Sequence, residues 1–367
     1  MTRAPLTADR AQVIAYRILA QQMDRPVVEP SRLAVLELGV QDTPYGTARQ
    51  ALAVRAGRVV DDESLRLAWS LRGAPHLHRA ADLPALAEAL WPLSEADATI
   101  RISNPQIKAG AKLGIAAFTQ TAAAFRKVVT GPMRKGEVSA AVSARIDQSL
   151  TYDCRSCQAR HVSGGLFQQA GLAGGVGVRV DGSATVIEPL NPPVPPASVA
   201  VGTSRLIADY LRLLGPAGPA EVAKFLGTTQ KHLRPIWPDD LVEVHVDGER
   251  TWLTSDRVDQ FQNAAMPDLT RLLPPSDPYL QARDRALIVP DKARQAQVWK
   301  ILGSPGAVLS GGEVVGVWRA RMAGKRLAVT VTEFERLPAT AKAEMTAEAE
   351  LLRAVRGAAD VEVRVES

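Results

Sequence analysis

Two cysteines and a histidine form the most compact cluster of reactive side chains in the sequence. They lie in the run Cys154-Arg155-Ser156-Cys157-Gln158-Ala159-Arg160-His161. The spacing of Cys154, Cys157 and His161 suits a zinc ion, but structural zinc normally takes four ligands and no fourth is evident. The two arginines would favour thiolates, as in a redox pair. Structural zinc, a redox dithiol and two ordinary cysteines remain alternatives, and we expect no other cofactor.

His76 and His78 form a second candidate pair, on either side of Leu77. In a strand, residues two apart share a face, so both imidazoles are predicted to point the same way. They are expected either to contact nucleic acid, at the backbone or at a flipped nucleotide, or to be outward-facing polar residues of a hairpin.

Basic residues are concentrated in the middle of the chain. Residues 99–180 contain eleven Lys and Arg but only three Asp and Glu, whereas the whole chain has a net charge of +5. Such a segment favours a polyanion partner, with a solvated basic face as the alternative. The predicted DNA-contacting residues are Lys108, Lys112, Arg126, Lys127, Arg134, Lys135, Arg145, Arg155 and Arg160, with Arg72, His76 and His78 from an upstream hairpin.

The composition is that of an ordinary globular protein. Of 367 residues, 46% are hydrophobic and 23% charged, which excludes disordered and fibrous classes. The chain has two cysteines, too few for a disulfide framework, and no uncharged apolar run long enough for a membrane span. We therefore expect a cytoplasmic protein with no membrane partner.

The elements that position these residues are clearest after the proline-rich run at 189–196. The predicted elements there are helices at 203–214 and 220–226, a third helical segment capped by Thr228 or Thr229 and running through 233–237, and strands at 241–246 and 250–254. The strands turn at Asp247-Gly248, a strong hairpin signal. Three helices followed by a hairpin are typical of a winged helix, which offers one helix to the major groove of DNA.

The same order of elements recurs upstream. The second copy has predicted helices at 114–130, 136–146 and 162–170 and strands at 176–180 and 184–187, and a less regular copy near the start has helices at 9–22, 31–38 and 43–55. After Pro274-Pro275 the pattern changes to alternating strands, followed by a helix at 339–355.

We therefore predict an α+β protein of three tandem winged helix-turn-helix modules with a C-terminal mostly-β domain. The predicted division is 1–98 for the first module, 99–188 for the second, basic module, 189–201 for the proline-rich linker, 202–270 for the third module and 271–367 for the C-terminal β-rich domain.

Several motifs along the chain carry a family resemblance. They are Leu38–Pro44, Trp69–His78 with Asp82-Leu83, Leu272–Leu280, Pro305–Leu309 and Val315–Arg319. Together they resemble the AlkZ/YcaQ-type winged-helix proteins. The resemblance implies a curved scaffold of three winged helices that binds duplex DNA. The studied members are bacterial DNA glycosylases that excise alkylated purines, including those in interstrand crosslinks.

The resemblance also implies catalytic residues in the loop after Leu38-Gly39. The family motif is Gln, an apolar residue, then Gln or Asp, and the matching positions are Gln41, Asp42 and Thr43. Gln41 fits the motif, whereas Thr43 replaces the residue that orients or activates water. In an extended loop Asp42 would point away from Gln41 and Thr43. The alternative is helix-start chemistry, with Asp42 or Thr43 as N-cap before Pro44.

The sequence thus predicts a double-stranded DNA-binding repair protein that resembles glycosylases for alkylated (N7-purine, crosslinked) bases, a class of hydrolase. The alternative is a non-catalytic DNA-binding protein, regulatory or damage-sensing, with a degenerate motif. A protein-interaction scaffold is a third, weaker option. We expect a monomer associated with the nucleoid.

Overall fold

The computed structural model describes residues 5–155 and 158–366, which pack into two compact units. The composite unit combines three chain segments, the described residues up to Asp62, Ala208–Glu221 and those from Asp239 onward. The central unit combines Glu63–Ile207 with Val222–Pro238. Within the described ranges, no helix is both long enough and apolar enough to span a membrane.

Helices and strands are interspersed along the described residues. The α-helices are α1 (Arg10–Ala20), α2 (Thr47–Ala56), α3 (Leu83–Ala89), α4 (Glu95–Ile102), α5 (Ile115–Val128), α6 (Lys135–Ser143), α7 (Gly164–Gly171), α8 (Thr203–Leu214), α9 (Pro219–Leu226), α10 (Gln230–Leu233), α11 (Val258–Gln262), α12 (Arg285–Ile288), α13 (Lys292–Val298) and α14 (Ala339–Arg356). Single-turn 3-10 helices lie at Pro30–Arg32, Ala34–Glu37, Leu71–Gly73, Ala80–Asp82, Gly110–Leu113, Gln148–Leu150, Arg234–Ile236, Ser255–Arg257 and Pro278–Gln281.

The strands are mostly short and paired with neighbours. They are β1 (Leu6–Ala8), β2 (Val40–Gln41), β3 (Leu65–Trp69), β4 (Pro75–Arg79), β5 (Met133–Arg134), β6 (Thr151–Cys154), β7 (Ala159–Val162), β8 (Val176–Asp181), β9 (Ala184–Pro189), β10 (Leu241–Val246), β11 (Glu249–Thr254), β12 (Thr270–Leu273), β13 (Gly306–Ser310), β14 (Glu313–Ala323), β15 (Arg326–Glu333) and β16 (Asp360–Glu366).

The largest sheet of the composite unit has five strands in the order β12-β13-β14-β15-β16. Adjacent strands in this sheet are antiparallel, except for β15 and β16, which run parallel. One face packs on α14, whose buried residues recur at helical spacing, among them Ala341, Met345 and Ala349. Trp318 and Val308 complete this core from the sheet side. Burial of these apolar side chains is the main favourable term for this layer.

A second layer of the composite unit forms around α1. Its buried residues Val13 and Tyr16 pack against Val244 and Leu253 of a three-stranded sheet and against Phe261. In that sheet β1 runs parallel to β10, which pairs antiparallel with β11. The aromatic rings of Tyr16 and Phe261 meet edge to face at 5.5 Å, a favourable arrangement for aromatic quadrupoles.

The central unit has an aromatic core. Phe167 of α7 lies 4.7 Å from Phe125 of α5 and 5.4 Å from Trp69 of β3, measured between ring centroids. Around this core lie the β3–β4 hairpin, the β6–β7 hairpin and a three-stranded sheet in the order β5-β9-β8. All of these strand pairs are antiparallel.

The predicted mixed α+β class is confirmed, and so are most of its elements. The helices predicted at 114–130, 136–146 and 162–170 correspond to α5, α6 and α7. The helix predicted at 31–38 is wrong. Two single-turn 3-10 helices occupy this stretch because the backbone of Leu33 between them is extended, with ψ 130°. The β6–β7 hairpin and the pairing of β1 with β10 were not anticipated.

Candidate active site and basic surface

The loop 41–46 joins β2 to α2 in the composite unit. Val40 is fully buried and fixes the start of the loop. Gly46 ends it with a left-handed φ of 89°, a conformation that glycine adopts without the strain a Cβ would bring. The start of the loop is therefore anchored by Val40, and Gly46 makes the turn into α2.

Ser276 connects the two ends of the predicted motif. The Gln41 amide donates from Nε2 to Ser276 Oγ at 3.4 Å, and Ser276 Oγ donates to the carbonyl oxygen of Thr43 at 2.8 Å. Gln41 is half-buried, whereas Thr43 is exposed. Through Ser276, these contacts hold the Gln41 amide and the backbone of Thr43 in one loop, and the Thr43 hydroxyl lies at its surface.

Asp42 points the other way, into the protein. Its carboxylate is 7% exposed and accepts a hydrogen bond from the backbone N–H of Ala48 at 2.9 Å. Burial raises the pKa of this carboxyl, while the backbone N–H groups of Ala48, Gly46 and Thr47 oppose that shift. These N–H groups lie at the start of α2 and lack partners inside the helix. Asp42 therefore binds the first turn of α2 from outside the helix. The N-cap is Gly46 and α2 begins at Thr47, so the prediction of Asp42 or Thr43 as N-cap before Pro44 is wrong.

An arginine that the sequence did not single out lies close to this loop. With the Gln50 amide oriented so that its oxygen faces Arg356, that oxygen accepts from Arg356 Nε at 2.7 Å and from Nη2 at 2.9 Å. Burial lowers the pKa of the Arg356 guanidinium, and the Asp42 carboxylate acts on it in the opposite sense. The packing of α14 on α2 thus adds a cation to the neighbourhood of the loop.

A fully buried ion pair positions α2. Arg55 Nη1 and Nη2 donate to Asp277 Oδ2 and Oδ1, each at 2.9 Å, and Nη2 also donates to Gln21 Oε1 at 2.9 Å. Both side chains of the pair are 0% exposed. Asp277 Oδ1 further accepts from the backbone N–H of Tyr279 at 2.9 Å. The pair therefore fixes α2 to the segment 276–281, which also supplies Ser276.

His76 and His78 do not face outward, so the expectation of surface histidines that contact DNA is wrong. They are 2% and 1% exposed, and Leu77 between them is buried as well. The strand is buried on both faces, so alternation does not predict exposure here. His76 Nδ1 lies 2.9 Å from the Ala74 carbonyl oxygen and His78 Nε2 lies 2.9 Å from Ser70 Oγ.

Burial also sets the charge of this histidine pair. It lowers the pKa of His78 to about 3 and lowers the pKa of His76 well below its ordinary value. Both rings are consequently neutral near pH 7 and supply no positive charge to a phosphate.

Two of the predicted DNA-contacting arginines have structural roles. The Arg126 guanidinium donates from Nη2 to the carbonyl oxygens of Ala173 at 2.5 Å and Val194 at 2.9 Å. Arg72 donates to the carbonyl oxygen of Phe225 and lies 5.0 Å above the ring of that residue. Because these guanidinium groups bind protein, we correct the prediction that Arg72 and Arg126 face a phosphate backbone.

The other predicted basic residues are exposed. Four of them surround the turn at 147–150, and we call these the turn cluster: Lys108, Lys112, Arg145 and Arg160. Gly110 packs so tightly on Ser149 that a Cβ there would lie 2.2 Å from the Ser149 carbonyl oxygen. This close approach brings the flanking lysines to the turn. Arg160 donates from Nη2 to the carbonyl oxygen of Gln148 at 3.2 Å.

A second group lies around the connection between α5 and α6. This connector cluster consists of Lys127, Arg134 and Lys135, all exposed. Lys135 Nζ lies 5.8 Å from the ring centroid of Trp69. Among the described residues, no ion pair involves Lys108, Lys112, Arg145 or any member of the connector cluster. Arg155 is exposed at the tip of the β6–β7 hairpin. Seven of the predicted cations therefore form two groups in the central unit.

The predicted zinc site remains a prediction. Cys154 and His161 lie on the paired strands β6 and β7, but Cys157 lies outside the described residues. In the part of the chain that the structure describes, no three His, Cys, Asp or Glu side chains meet in a group suited to a metal ion. His161 Nδ1 lies 3.5 Å from Ser139 Oγ.

Sequence reasoning missed two residues of the loop environment. Ser276 falls in the motif Leu272–Leu280, and its place in that motif was an available signal. No sequence pattern indicated Arg356 as part of this site, because only the packing of α14 on α2 brings it near Gln50.

The fold is mixed α+β, and the candidate site is a polar loop between β2 and α2. The family model described as "DNA glycosylase AlkZ-like" matches residues 37–355, and the chain belongs to this family. The resemblance expected from the sequence motifs is thereby confirmed. The structure is similar to that of Streptomyces sahachiroi DNA glycosylase AlkZ, with a TM-score of 0.75 and 20% identity over 98% of this chain and 100% of that one.

A curated relative matches a shorter stretch. Endonuclease V of Xylella fastidiosa is 31% identical over 106 residues, which is 28% of this chain. The match spans 44% of the length of that relative.

We predict that the Arg55–Asp277 pair is essential for the stability of the composite unit. Replacement of Arg55 by Met leaves the Asp277 carboxylate buried without its counter-charge, which should lower the free energy of unfolding by about 3–5 kcal/mol. Denaturant unfolding monitored by circular dichroism measures this. The matched control is Arg49→Met, whose ion pair with Asp61 is exposed and should be worth at most about 1 kcal/mol. Equal losses in both variants would contradict the assignment.

We predict that Asp42 makes stability depend on pH in a specific direction. Its pKa is higher in the folded than in the unfolded protein. Its protonation therefore favours folding below the ordinary pKa of aspartate, and this contribution is lost as pH rises through the raised pKa. Relative to Asp42→Asn, the wild type should lose stability as the pH rises above the ordinary pKa of aspartate, about 4. Denaturant midpoints at increasing pH measure the difference, with Asp153→Asn, an exposed carboxylate, as control. Parallel curves for wild type and Asp42→Asn would contradict this.

Proposed function

We propose that this protein binds duplex DNA and hydrolyses the N-glycosidic bond of bulky alkylated purines. Membership of the AlkZ-like family carries this proposal. The loop with Gln41 and Thr43 beside Ser276, and the two clusters of exposed cations, support it.

The proposed chemistry needs few catalytic groups. An N7-alkylated purine already carries positive charge and leaves without a general acid, so the protein has to place a water and stabilise an oxocarbenium-like sugar. In our proposal the Gln41 amide holds the water and the Thr43 hydroxyl offers a second hydrogen bond. Asp42 fixes the loop on α2 and contributes negative potential from behind it.

Tandem winged helices are our proposal for how DNA is bound. In the central unit, α5, β5, α6, α7 and the β8–β9 hairpin follow one another in the order of such a module, and β5 joins the sheet of the hairpin. The element order from α8 to β11 supports a further module. By this assignment α7 is the helix that enters the major groove. The β6–β7 hairpin, inserted directly before α7, carries Arg155 and Arg160.

A second candidate function is non-catalytic DNA binding. Two observations favour it. Thr43 stands where the family motif has a residue that activates water, and the Asp42 carboxylate faces the start of α2. In this case the protein would recognise DNA or damage without base release.

Base release decides between the two candidates. In a single-turnover assay with an N7-alkylated duplex, the wild type should release the modified base, and Gln41→Ala should reduce the rate roughly 100-fold or more by loss of the positioned water. Gln262→Ala, an exposed glutamine at the end of α11, is the matched control and should retain the rate. Thr43→Asp adds a proton acceptor and should increase the rate. DNA binding without release by any variant would favour the second candidate.

The affinity for DNA should fall as the salt concentration rises, and the turn cluster should contribute to this dependence by contacting phosphates. Each phosphate neutralised contributes roughly 0.9 to the slope of log K against log salt concentration. The triple variant Lys108→Ala/Lys112→Ala/Arg145→Ala should therefore bind more weakly and with a slope smaller by about 2.7. Fluorescence anisotropy with a duplex at several salt concentrations measures this. Arg364→Ala, which removes an exposed cation paired with Glu362, is the control, and an unchanged slope in the triple variant would refute the role of the cluster.

A further inference from the structure

The loop between α13 and β13 exposes two adjacent aliphatic side chains. Ile301 is 100% and Leu302 is 87% exposed. Single exposed aliphatic residues are normal on protein surfaces. Two neighbours that are both almost fully in water form an apolar projection, and water contact with such a projection is unfavourable unless a partner covers it.

Both ends of this loop are fixed. The Trp299 indole donates from Nε1 to the carbonyl oxygen of Leu280 at 3.1 Å, and the Arg285 guanidinium lies 4.9 Å above its ring. At the other end, Arg319 Nη2 donates to the carbonyl oxygen of Gly303 at 2.7 Å. The two aliphatic side chains are therefore presented from an anchored base.

Exposed cations flank the projection. Lys300 precedes Ile301, and Arg319 and Arg321 lie on β14 two residues apart, so they share one face of the sheet. None of these three cations has an acidic partner within ion-pair distance among the residues that the structure describes. An apolar tip surrounded by positive charge complements a ligand with anionic borders and an apolar interior, which is the arrangement of phosphates and stacked bases in a duplex.

The same segment supports this loop and the candidate active site. Ser276 donates to the backbone of Thr43, and Leu280, four residues later, accepts from Trp299. Between them, Asp277 forms the buried pair with Arg55. The segment 276–281 thus links the base of the apolar tip to the loop with Gln41.

We propose that Ile301 and Leu302 form a wedge that inserts between base pairs of duplex DNA, with Lys300 and Arg321 on the adjacent phosphates and Arg319 anchoring the loop at Gly303. This proposal rests on the DNA binding proposed above. Side chains such as Ile and Leu unstack base steps in other DNA-binding proteins, and that unstacking lowers the further cost of extruding a base. The wedge would serve the reaction at Gln41 by opening the stack beside the modified nucleotide.

The test uses the full chain and a duplex that carries 2-aminopurine, whose fluorescence increases when it is unstacked. Wild type should bind and increase the fluorescence. Ile301→Ala/Leu302→Ala should lose that increase at saturating protein and bind about tenfold more weakly, because aliphatic contact with the bases is lost. Its salt slope should not change, since no phosphate contact is removed. Lys300→Ala/Arg321→Ala should reduce the slope by about 2, and it leaves the bond from Arg319 to Gly303 in place.

Val27→Ala is the matched control, because Val27 is another fully exposed aliphatic residue. Its fluorescence and affinity should equal those of the wild type. If the double alanine variant binds DNA with the wild-type fluorescence increase, the wedge is refuted while the proposed function stands. If wild type binds no duplex at low salt, the proposed function itself fails. A loss of self-association in the double variant with unchanged DNA binding would show that the tip is a protein interface, and would also refute the wedge.

Discussion

The geometry of the candidate active site depends on one buried ion pair, Arg55 with Asp277. Four protein oxygens accept from the two terminal nitrogens of the Arg55 guanidinium: both carboxylate oxygens of Asp277, the Gln21 side-chain oxygen and the Ala51 carbonyl. These four bonds offset the cost of burying the charge, because desolvation of an isolated ion is very unfavourable. Among the described residues, Arg55 Nε has no hydrogen-bond partner. The position of α2 determines where Asp42 finds its N–H partners, and the position of Asp277 determines where Ser276 meets Thr43. A shift of this pair would displace both sides of the loop together.

The sequence predicted the elements of the fold better than the exposure of its polar residues. Periodicity located α5 and α14 closely, since long amphipathic helices repeat their buried residues over several turns. Resemblance of motifs led to the Gln41 loop, and alternation correctly placed Asp42 opposite its neighbours. The same alternation failed for His76 and His78, because it assumes that one face of the strand meets water. The covering elements come from other parts of the chain, and their positions follow from tertiary packing alone.

The basic residues illustrate a related limit. Positive charge in the middle segment indicated a polyanion partner, but Arg126 uses its guanidinium to bind the carbonyl oxygens of Ala173 and Val194. Arginine has five donors in a planar fork, so it satisfies buried carbonyls as well as phosphates. The lysines of the two clusters remain exposed, in keeping with the strong hydration of an ammonium group. Local charge density therefore does not separate structural from surface arginines, since Arg134 and Arg145 are exposed while Arg126 binds backbone carbonyls.

The strand order of the composite unit has a consequence for how the chain reaches its folded state. Leu6 of β1 aligns with Val244 of β10, and Arg55 meets Asp277 across 222 residues. Such distant contacts form slowly, because the entropy of closing a long loop is lost before the contacts are gained. Most of the intervening residues belong to the central unit, which draws largely on one continuous stretch. We expect that collapse of this unit shortens the effective loop and lowers the entropy lost when the two outer parts of the chain meet.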